Sequence, residues 1–250
     1  MIKLRDLCKD FGSKKVLKHI DLDIKAGETL AIIGGSGSGK STLLKIMIGL
    51  LKPTSGSLSI MGQEMAGAEE DDWNRLRLDM GMVFQYSALF DSMTVGDNVA
   101  FGLREHTDYP EERIQQIVAE KLAQVGMPEV AGYMPDQLSG GMKKRVSLAR
   151  AIAFEPKLIF YDEPSSGLDP VMTQKIDELI LNIQGRMDVT SVVVTHDMAS
   201  ACQVADRIAM LYEGEIIAIE DVDRFRRLKD PRVRAFLREL YIDEGEETGK

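Results

Sequence analysis

Short apolar runs alternate with amphipathic segments along this chain. The runs "TLAII" (29–33), "LIFY" (158–161) and "SVVVT" (191–195) have the length of buried strands, and "STLLKIMIGL" (41–50) has the pattern of a helix. Strands that are apolar on both faces are typical of a parallel sheet covered by helices. The pattern therefore predicts an α/β fold with a parallel sheet.

The three predicted strands share a feature at their carboxyl ends. The first runs into Gly34-Gly35, the second stops at Asp162-Glu163 and the third stops at His196-Asp197. In open α/β sheets, ligands bind beyond the carboxyl ends of the strands. We therefore expect a ligand site at this edge of the sheet.

Outside these strands the pattern changes. Residues 207–220 read as a hairpin that turns at Glu213-Gly214, and Pro110 begins a predicted helix within a helical region.

Near the carboxyl terminus an amphipathic helix is predicted after Pro231, and the acidic tail 243–250 is expected to be disordered. The apolar stripe of that helix consists of Val233, Phe236, Leu237, Leu240 and Tyr241, and we expect it to dock on a second subunit or a regulator. The alternative is ordinary packing on the chain's own domain.

Composition narrows the class of protein. The chain has 250 residues, 44% of them hydrophobic, which is enough for a sizeable core. Its net charge of −9 argues against nucleic-acid binding, since that surface must neutralise phosphates. Cys8 and Cys202 lack metal-ligand spacing and are expected to be inert packing residues. Without a signal peptide or an apolar run of about 20 residues, the chain is expected to reach a membrane only through a partner.

The segment "GGSGSGKST" (34–42) carries the most specific chemistry. Gly34, Gly39, Lys40 and Ser41 match the phosphate-loop pattern GxxxxGK[ST] between a predicted strand and helix. Glycines let backbone N–H groups surround an anion, the helix N-terminus adds positive potential, and the lysine adds a charge. A flexible glycine-serine linker would explain neither Lys40 nor Ser41.

Two further strand ends carry candidate catalytic groups. Asp162 can hold a magnesium ion, and Glu163 can orient or deprotonate an attacking water. The alternative is a solvated acidic pair in a turn before Pro164. His196 can contact a γ-phosphate, although a lone histidine after a strand is more often structural.

The segment "LSGGMKKRV" (138–146) combines two glycines with a helical pattern, although glycine disfavours helix interiors. Taken alone, it could be a glycine-rich turn that caps a helix. Together, the phosphate loop, Gln85, "LSGGM", "LIFYDE", "SGLD" and His196, in this order, resemble the nucleotide-binding subunit of ABC transporters. That resemblance covers nearly the whole chain and implies ATP and Mg²⁺ as ligands.

The resemblance assigns roles to individual residues. Ser139, Gly140 and Gly141 would form a second phosphate-binding element that acts on the nucleotide held by a second copy of the chain. Ser41, Gln85 and Asp162 would bind the metal; Lys40, Gln85, Glu163 and His196 would serve catalysis. ATP would contact Phe11, Val16, Gly34, Gly35, Ser36, Gly37, Ser38, Gly39, Lys40, Ser41 and Thr42, and Asp169 would reach the opposite site.

Phe11, Met142 and the charged run after Met142 are less clear from the sequence. Phe11 taken alone would be read as a core residue. Met142 stands where the family usually has glutamine, which puts that residue's contact near the ribose in question. The run Lys143-Lys144-Arg145 is expected to be a solvated helix face.

Four further segments, which are less diagnostic than the ATP motifs, make the resemblance more specific. "SALF" (87–90), "DNVAFGLREHT" (97–107), the methionine after LSGG and "DPRVRAFL" (230–237) are similar to the ATPase of Mla/Mce-type phospholipid transporters of Gram-negative bacteria. This resemblance implies multi-pass permease subunits, a periplasmic Mce-type lipid-binding protein, often a STAS-domain regulator, and a position on the cytoplasmic side of the inner membrane. Two alternatives stay open: the ATPase of a polar amino acid or other small-solute importer, and a soluble non-transport ABC ATPase.

The same motifs suggest a division of the chain. We expect an ATP-binding core from residues 1–84 and 151–228. Residues 85–150 would form a helical subdomain that carries the signature segment, and 229–250 a C-terminal helix and acidic tail. Besides the parallel sheet, the resemblance implies antiparallel β hairpins.

Overall fold

The computed structural model describes residues 1–241, with side chains through Leu237, and comprises two compact units. The first joins Met1–Trp73 to the chain from Val192 onward, and the second is Asn74–Ser191. The predicted disorder of 243–250 lies outside the described residues, as do the side chains of Leu240 and Tyr241.

An antiparallel sheet begins the first unit. Its strands β1 (Ile2–Phe11), β2 (Lys14–Ile24), β4 (Ser55–Ile60) and β5 (Gln63–Glu64) lie in the order β2-β1-β4-β5. In β2, Ile20, Leu22 and Ile24 are buried while Asp21 and Asp23 are exposed, which is the period-two alternation of a half-buried strand. This sheet agrees with the expectation of antiparallel hairpins.

Two of the three predicted buried strands, β3 (Thr29–Ile33) and most of β8 (Thr190–Thr195), lie in this unit. Strand β3 is buried throughout and pairs in parallel with β9 (Arg207–Tyr212), which forms the predicted hairpin with β10 (Glu215–Asp221). Strand β8 lies next to β3. Helix α1 (Lys40–Met47) follows β3, and α7 (Met198–Val204) follows β8.

The C-terminal helix packs against the chain's own first unit, contrary to the expectation that it docks on another subunit. After α8 (Val222–Phe225), helix α9 (Pro231–Tyr241) buries Val233 and Leu237 completely or nearly so, in a cluster with Met198 and Phe225. For these two residues the predicted docking on another subunit is wrong. Their apolar surface completes the core of the chain's own first unit.

The second unit pairs two parallel strands with a group of helices. Strand β6 (Met80–Val83) lies beside β7 (Leu158–Asp162). The helices are α3 (Val95–His106), α4 (Glu111–Gln124), a 3-10 turn (Pro135–Gln137), α5 (Gly140–Ala151) and α6 (Pro170–Arg186); α2 (Glu70–Arg77) spans the sequence boundary between the units. Among the described residues, none of the helices has the length and apolar character to cross a membrane.

Candidate functional site

The phosphate loop lies between β3 and α1 in the first unit. Lys40 is the first residue of the helix, and its buried side chain donates hydrogen bonds to the carbonyl oxygens of Gly34 (2.6 Å) and Gly35 (3.2 Å). Residues 35–37 and Ser41 are exposed, and Thr42 is partly exposed. The loop therefore surrounds the lysine ammonium with its own backbone while presenting several residues to solvent.

Glycine is required at both ends of this loop by close packing. A Cβ on Gly34 would lie 2.2 Å from the carbonyl oxygen of Leu211, and one on Gly39 would lie 2.8 Å from Cδ2 of Leu17. Gly39 also has a φ of 111°, a conformation that side chains disfavour. Within the described chain, the buried Oγ of Ser38 has no hydrogen-bond partner. Such an atom fits a loop that supplies donors to an anion.

A cavity of about 420 Å³ adjoins the loop. Phe11, Lys14 and Val16 line it together with residues 37–42. Phe11 is 49% exposed, and the ammonium of Lys9 lies 5.1 Å from its ring centroid, so Phe11 is not a core residue. The structure thus brings Phe11 and Val16, both predicted to contact ATP, to one cavity with the phosphate loop.

His196 directly follows β8 and is exposed. The next residue, Asp197, caps α7 by accepting a hydrogen bond from the amide of Ser200 at 3.0 Å. That cap fixes the strand-to-helix turn on which His196 lies.

The remaining strand-end residues lie in the second unit. Gln85 follows β6 and Asp162 ends β7, and the parallel pairing of Val83 with Tyr161 puts both at the same edge. The Gln85 amide donates to Oγ of Ser166 at 3.4 Å. Glu163 has a φ of 48°, which is left-handed backbone that is uncommon for non-glycine residues.

The signature segment forms the start of α5. Ser139 is its N-cap and accepts a hydrogen bond from the amide of Met142 at 3.3 Å. Gly140 and Gly141 are the first two helical residues, so glycine does not interrupt a helix interior. A Cβ on Gly141 would lie 2.4 Å from Cε of Met172. Asp169 caps α6 in the same manner by accepting from the amide of Met172 at 3.0 Å.

Lys144 is buried, so the expectation that it lies on a solvated helix face is wrong. Only 5% of this residue is exposed, and its ammonium donates hydrogen bonds to the carbonyl oxygens of Gln85 and Glu163. Lys143 and Arg145 are partly exposed. The missed signal was helical spacing, because Gly141, Lys144 and Leu148 fall on one buried stripe of α5.

Burial also affects the electrostatics of this helix. Desolvation lowers the pKa of Lys144, and the charges of Glu163 and Asp162 partly oppose that effect. Desolvation likewise lowers the pKa of Arg150, whose guanidinium donates to the carbonyls of Ser87 (2.8 Å) and Ala88 (2.6 Å). The buried Lys144 and the partly exposed Arg150 of α5 therefore bind backbone carbonyls at Gln85 and just beyond it.

Comparison with known proteins identifies the family of this chain. Residues 17–166 match the family described as ABC transporter. The chain is 41% identical to the probable ribonucleotide transport ATP-binding protein mkl of Mycobacterium leprae, over 94% of this chain and 68% of that protein. It is 39% identical to the intermembrane phospholipid transport system ATP-binding protein MlaF of Haemophilus influenzae, over 95% of this chain and 90% of that protein.

A solved structure extends the comparison to three dimensions. It is the dimeric post-hydrolysis state of an ATP-binding cassette bound to ADP and Pi, with a TM-score of 0.82 and 35% identity over 89% of this chain and 99% of that one. The α/β fold predicted from the strand pattern is therefore confirmed. By its matched motifs, its fold and its relatives, this chain belongs to the ABC transporter family and is an ATP-binding, ATP-hydrolysing subunit of that family.

Proposed function

We propose that this ATPase powers phospholipid transport between the inner and outer membranes of a bacterium. The observation that carries the proposal is the similarity to the phospholipid transport protein of H. influenzae. That protein is 39% identical to this chain, and the match covers 90% of its length. The M. leprae relative, 41% identical, is named for ribonucleotide transport and makes a soluble nucleotide the second candidate cargo.

The proposed chemistry assigns ATP to the phosphate loop. Loop amides and Lys40 neutralise the phosphates, while Phe11 and Val16 contact the base. Glu163 orients or deprotonates the attacking water, and His196 contacts the γ-phosphate. The side chains of Phe11 and His196 are exposed and those of Val16 and Glu163 are partly exposed, which fits the roles proposed for these four residues.

A magnesium ion fits the donor set that the chain offers. Ser41, Gln85 and Asp162 supply hydroxyl, amide and carboxylate oxygens, which are the hard ligands that Mg²⁺ prefers. The ion would neutralise charge on the β- and γ-phosphates.

A second copy of the chain is proposed to complete each site. The γ-phosphate held by the partner's loop would be bound by Ser139, Gly140 and Gly141. Asp169 would contact the nucleotide site of the partner. The support is the exposed N-terminal end of α5, since a helix N-terminus favours an anion. Dimerisation is a property of the family, and the similar solved cassette is a dimer.

The assembly is proposed to include multi-pass permease subunits, a periplasmic Mce-type lipid-binding protein and a STAS-domain regulator. The chain would lie on the cytoplasmic side of the inner membrane, held there by the permease. Residues 85–150 would form the helical subdomain that contacts the permease, while 1–84 with 151–228 would form the ATP-binding core.

Cargo can be tested on the intact complex. The complex, purified with its own permease, is reconstituted in vesicles that contain a labelled phospholipid, and transfer to acceptor vesicles is measured with ATP. We expect ATP-dependent transfer, and none from the matched Glu163→Gln complex. Uptake of labelled ribonucleotide without phospholipid transfer would instead support the second candidate.

A further inference from the structure

Lys144 is a buried cation whose described hydrogen bonds go to two backbone carbonyls. The carbonyls belong to Gln85 and Glu163, and the second lies 3.1 Å from Nζ. These residues follow two separate strands, β6 and β7. One side chain of the signature helix therefore joins the backbone of the proposed metal ligand to that of the proposed base.

The carbonyl of Glu163 requires such support because of its backbone conformation. At a φ of 48°, Glu163 adopts a conformation that costs a non-glycine residue of order 1–3 kcal/mol unless its surroundings fix it. Besides Lys144, the amide of Ser166 donates to this carbonyl at 3.1 Å. Both bonds hold the peptide that sets the direction of the Glu163 side chain.

A methyl-terminated side chain would pack in the same space without these bonds. Lysine is nonetheless present, and burying its charge is unfavourable unless the hydrogen bonds compensate. The buried charge therefore has a cost in stability, and core packing alone does not explain why a lysine is present. The neighbouring charges of Asp162 and Glu163 favour the cation at this position.

We propose that Lys144 is a positioning residue for hydrolysis, which fixes the backbone of Glu163 and Gln85 and so couples the signature helix to both. The inference rests on the proposed roles of Glu163 and Gln85. Lys144 acts through these residues and does not itself touch ATP. Movement of α5 would then change the geometry of both groups together.

The test measures steady-state ATP hydrolysis by the full chain as its ATP concentration varies. Lys144→Met should lower kcat roughly 10- to 100-fold, because displacement of about 1 Å in a catalytic group has effects of that size. KM for ATP should stay within about twofold, since the phosphate loop is unchanged. Lys144→Arg, which keeps charge and donors, should restore most of kcat, and Lys143→Met on the same helix should match the wild type.

A double-mutant cycle tests the route of the effect. If Lys144 acts through Glu163, then Lys144→Met should slow a Glu163→Gln protein little further. Additive losses, or wild-type kcat in Lys144→Met, would overturn the inference. Should Lys144→Met not fold, Lys144→Leu, which also lacks an N–H donor, enters the same cycle under the same criteria. A Glu163→Gln protein with wild-type turnover would instead refute the proposed base.

Discussion

The hydroxyl of Ser139 accepts a hydrogen bond from the amide of Met142 at 3.3 Å, and it thereby caps the signature helix. The proposed contact with a partner's nucleotide uses the same end of that helix. Helix capping and phosphate binding can be separated experimentally, because aspartate and asparagine both cap helices and only aspartate adds a charge.

Ser139→Asp is expected to abolish the ATP-bound dimer. In a Glu163→Gln background with ATP and Mg²⁺, size-exclusion chromatography should give a dimer with two nucleotides. Adding Ser139→Asp should leave monomer, because like charges a few ångströms apart in a dry interface repel strongly. Ser139→Asn is the matched uncharged control and should dimerise better. Dimers of equal stability in both variants would contradict the composite site.

Lys40→Ala and Glu163→Gln should fail in different ways. Removing the lysine charge should weaken ATP binding and turnover together. Glu163→Gln keeps the side-chain shape and loses the base, so ATP should still bind while kcat falls roughly 10²- to 10⁴-fold. Nucleotide binding by fluorescence and single-turnover hydrolysis distinguish the two. Rapid turnover by the glutamine variant would refute the role of Glu163.

Leu237→Ala should destabilise the isolated chain. Leu237 is 3% exposed in the core cluster that includes Phe225 and Val233, so truncation should cost about 2–5 kcal/mol of unfolding free energy. Denaturant titration measures this loss. Arg234→Ala, at an exposed position of the same helix, is the control and should change little. Equal stability of the leucine variant would show that α9 is not part of the core.

Arg104 should make stability pH-dependent below about pH 5. The pKa of the Glu111 carboxyl is lowered from 4.5 to about 2, mainly because the Arg104 guanidinium donates a hydrogen bond to it at 2.6 Å. A hydrogen bond from Gln115 is the second cause of this shift. The unfolded chain therefore takes up this proton first as the pH falls, and the stabilisation disappears between about pH 4.5 and 2.

The Arg104→Met variant isolates this effect. Its melting temperature should lie below that of the wild type at pH 7, and the gap should narrow by pH 3. High salt at pH 7 should also narrow the gap, because the carboxylates are solvent-exposed. A gap independent of both pH and salt would assign the loss to packing of the Arg104 stem.

Helix α3 has a clear apolar pattern in the sequence. Val95, Val99 and Leu103 recur at helical spacing in α3 and are buried. The hydroxyl of Thr94 caps this helix by accepting from the amide of Asp97 at 3.1 Å. Both signals are local and can be read from the sequence alone.

The sequence by itself determined the elements and motifs whose physics is local. The strand pattern predicted β3, β7 and β8, and the glycine-lysine spacing predicted a phosphate loop between β3 and α1. Backbone periodicity and glycine conformation depend on neighbours in the chain, so they can be read from it.

Only the tertiary structure decided which distant groups meet. Lys144 reads as part of a charged run, yet it binds carbonyls 59 and 19 residues away. Val233 and Leu237 read as a docking stripe, yet the chain's own core covers them. An amphipathic pattern specifies that one face is buried but not what buries it, because burial depends on apolar area and not on the identity of the partner surface.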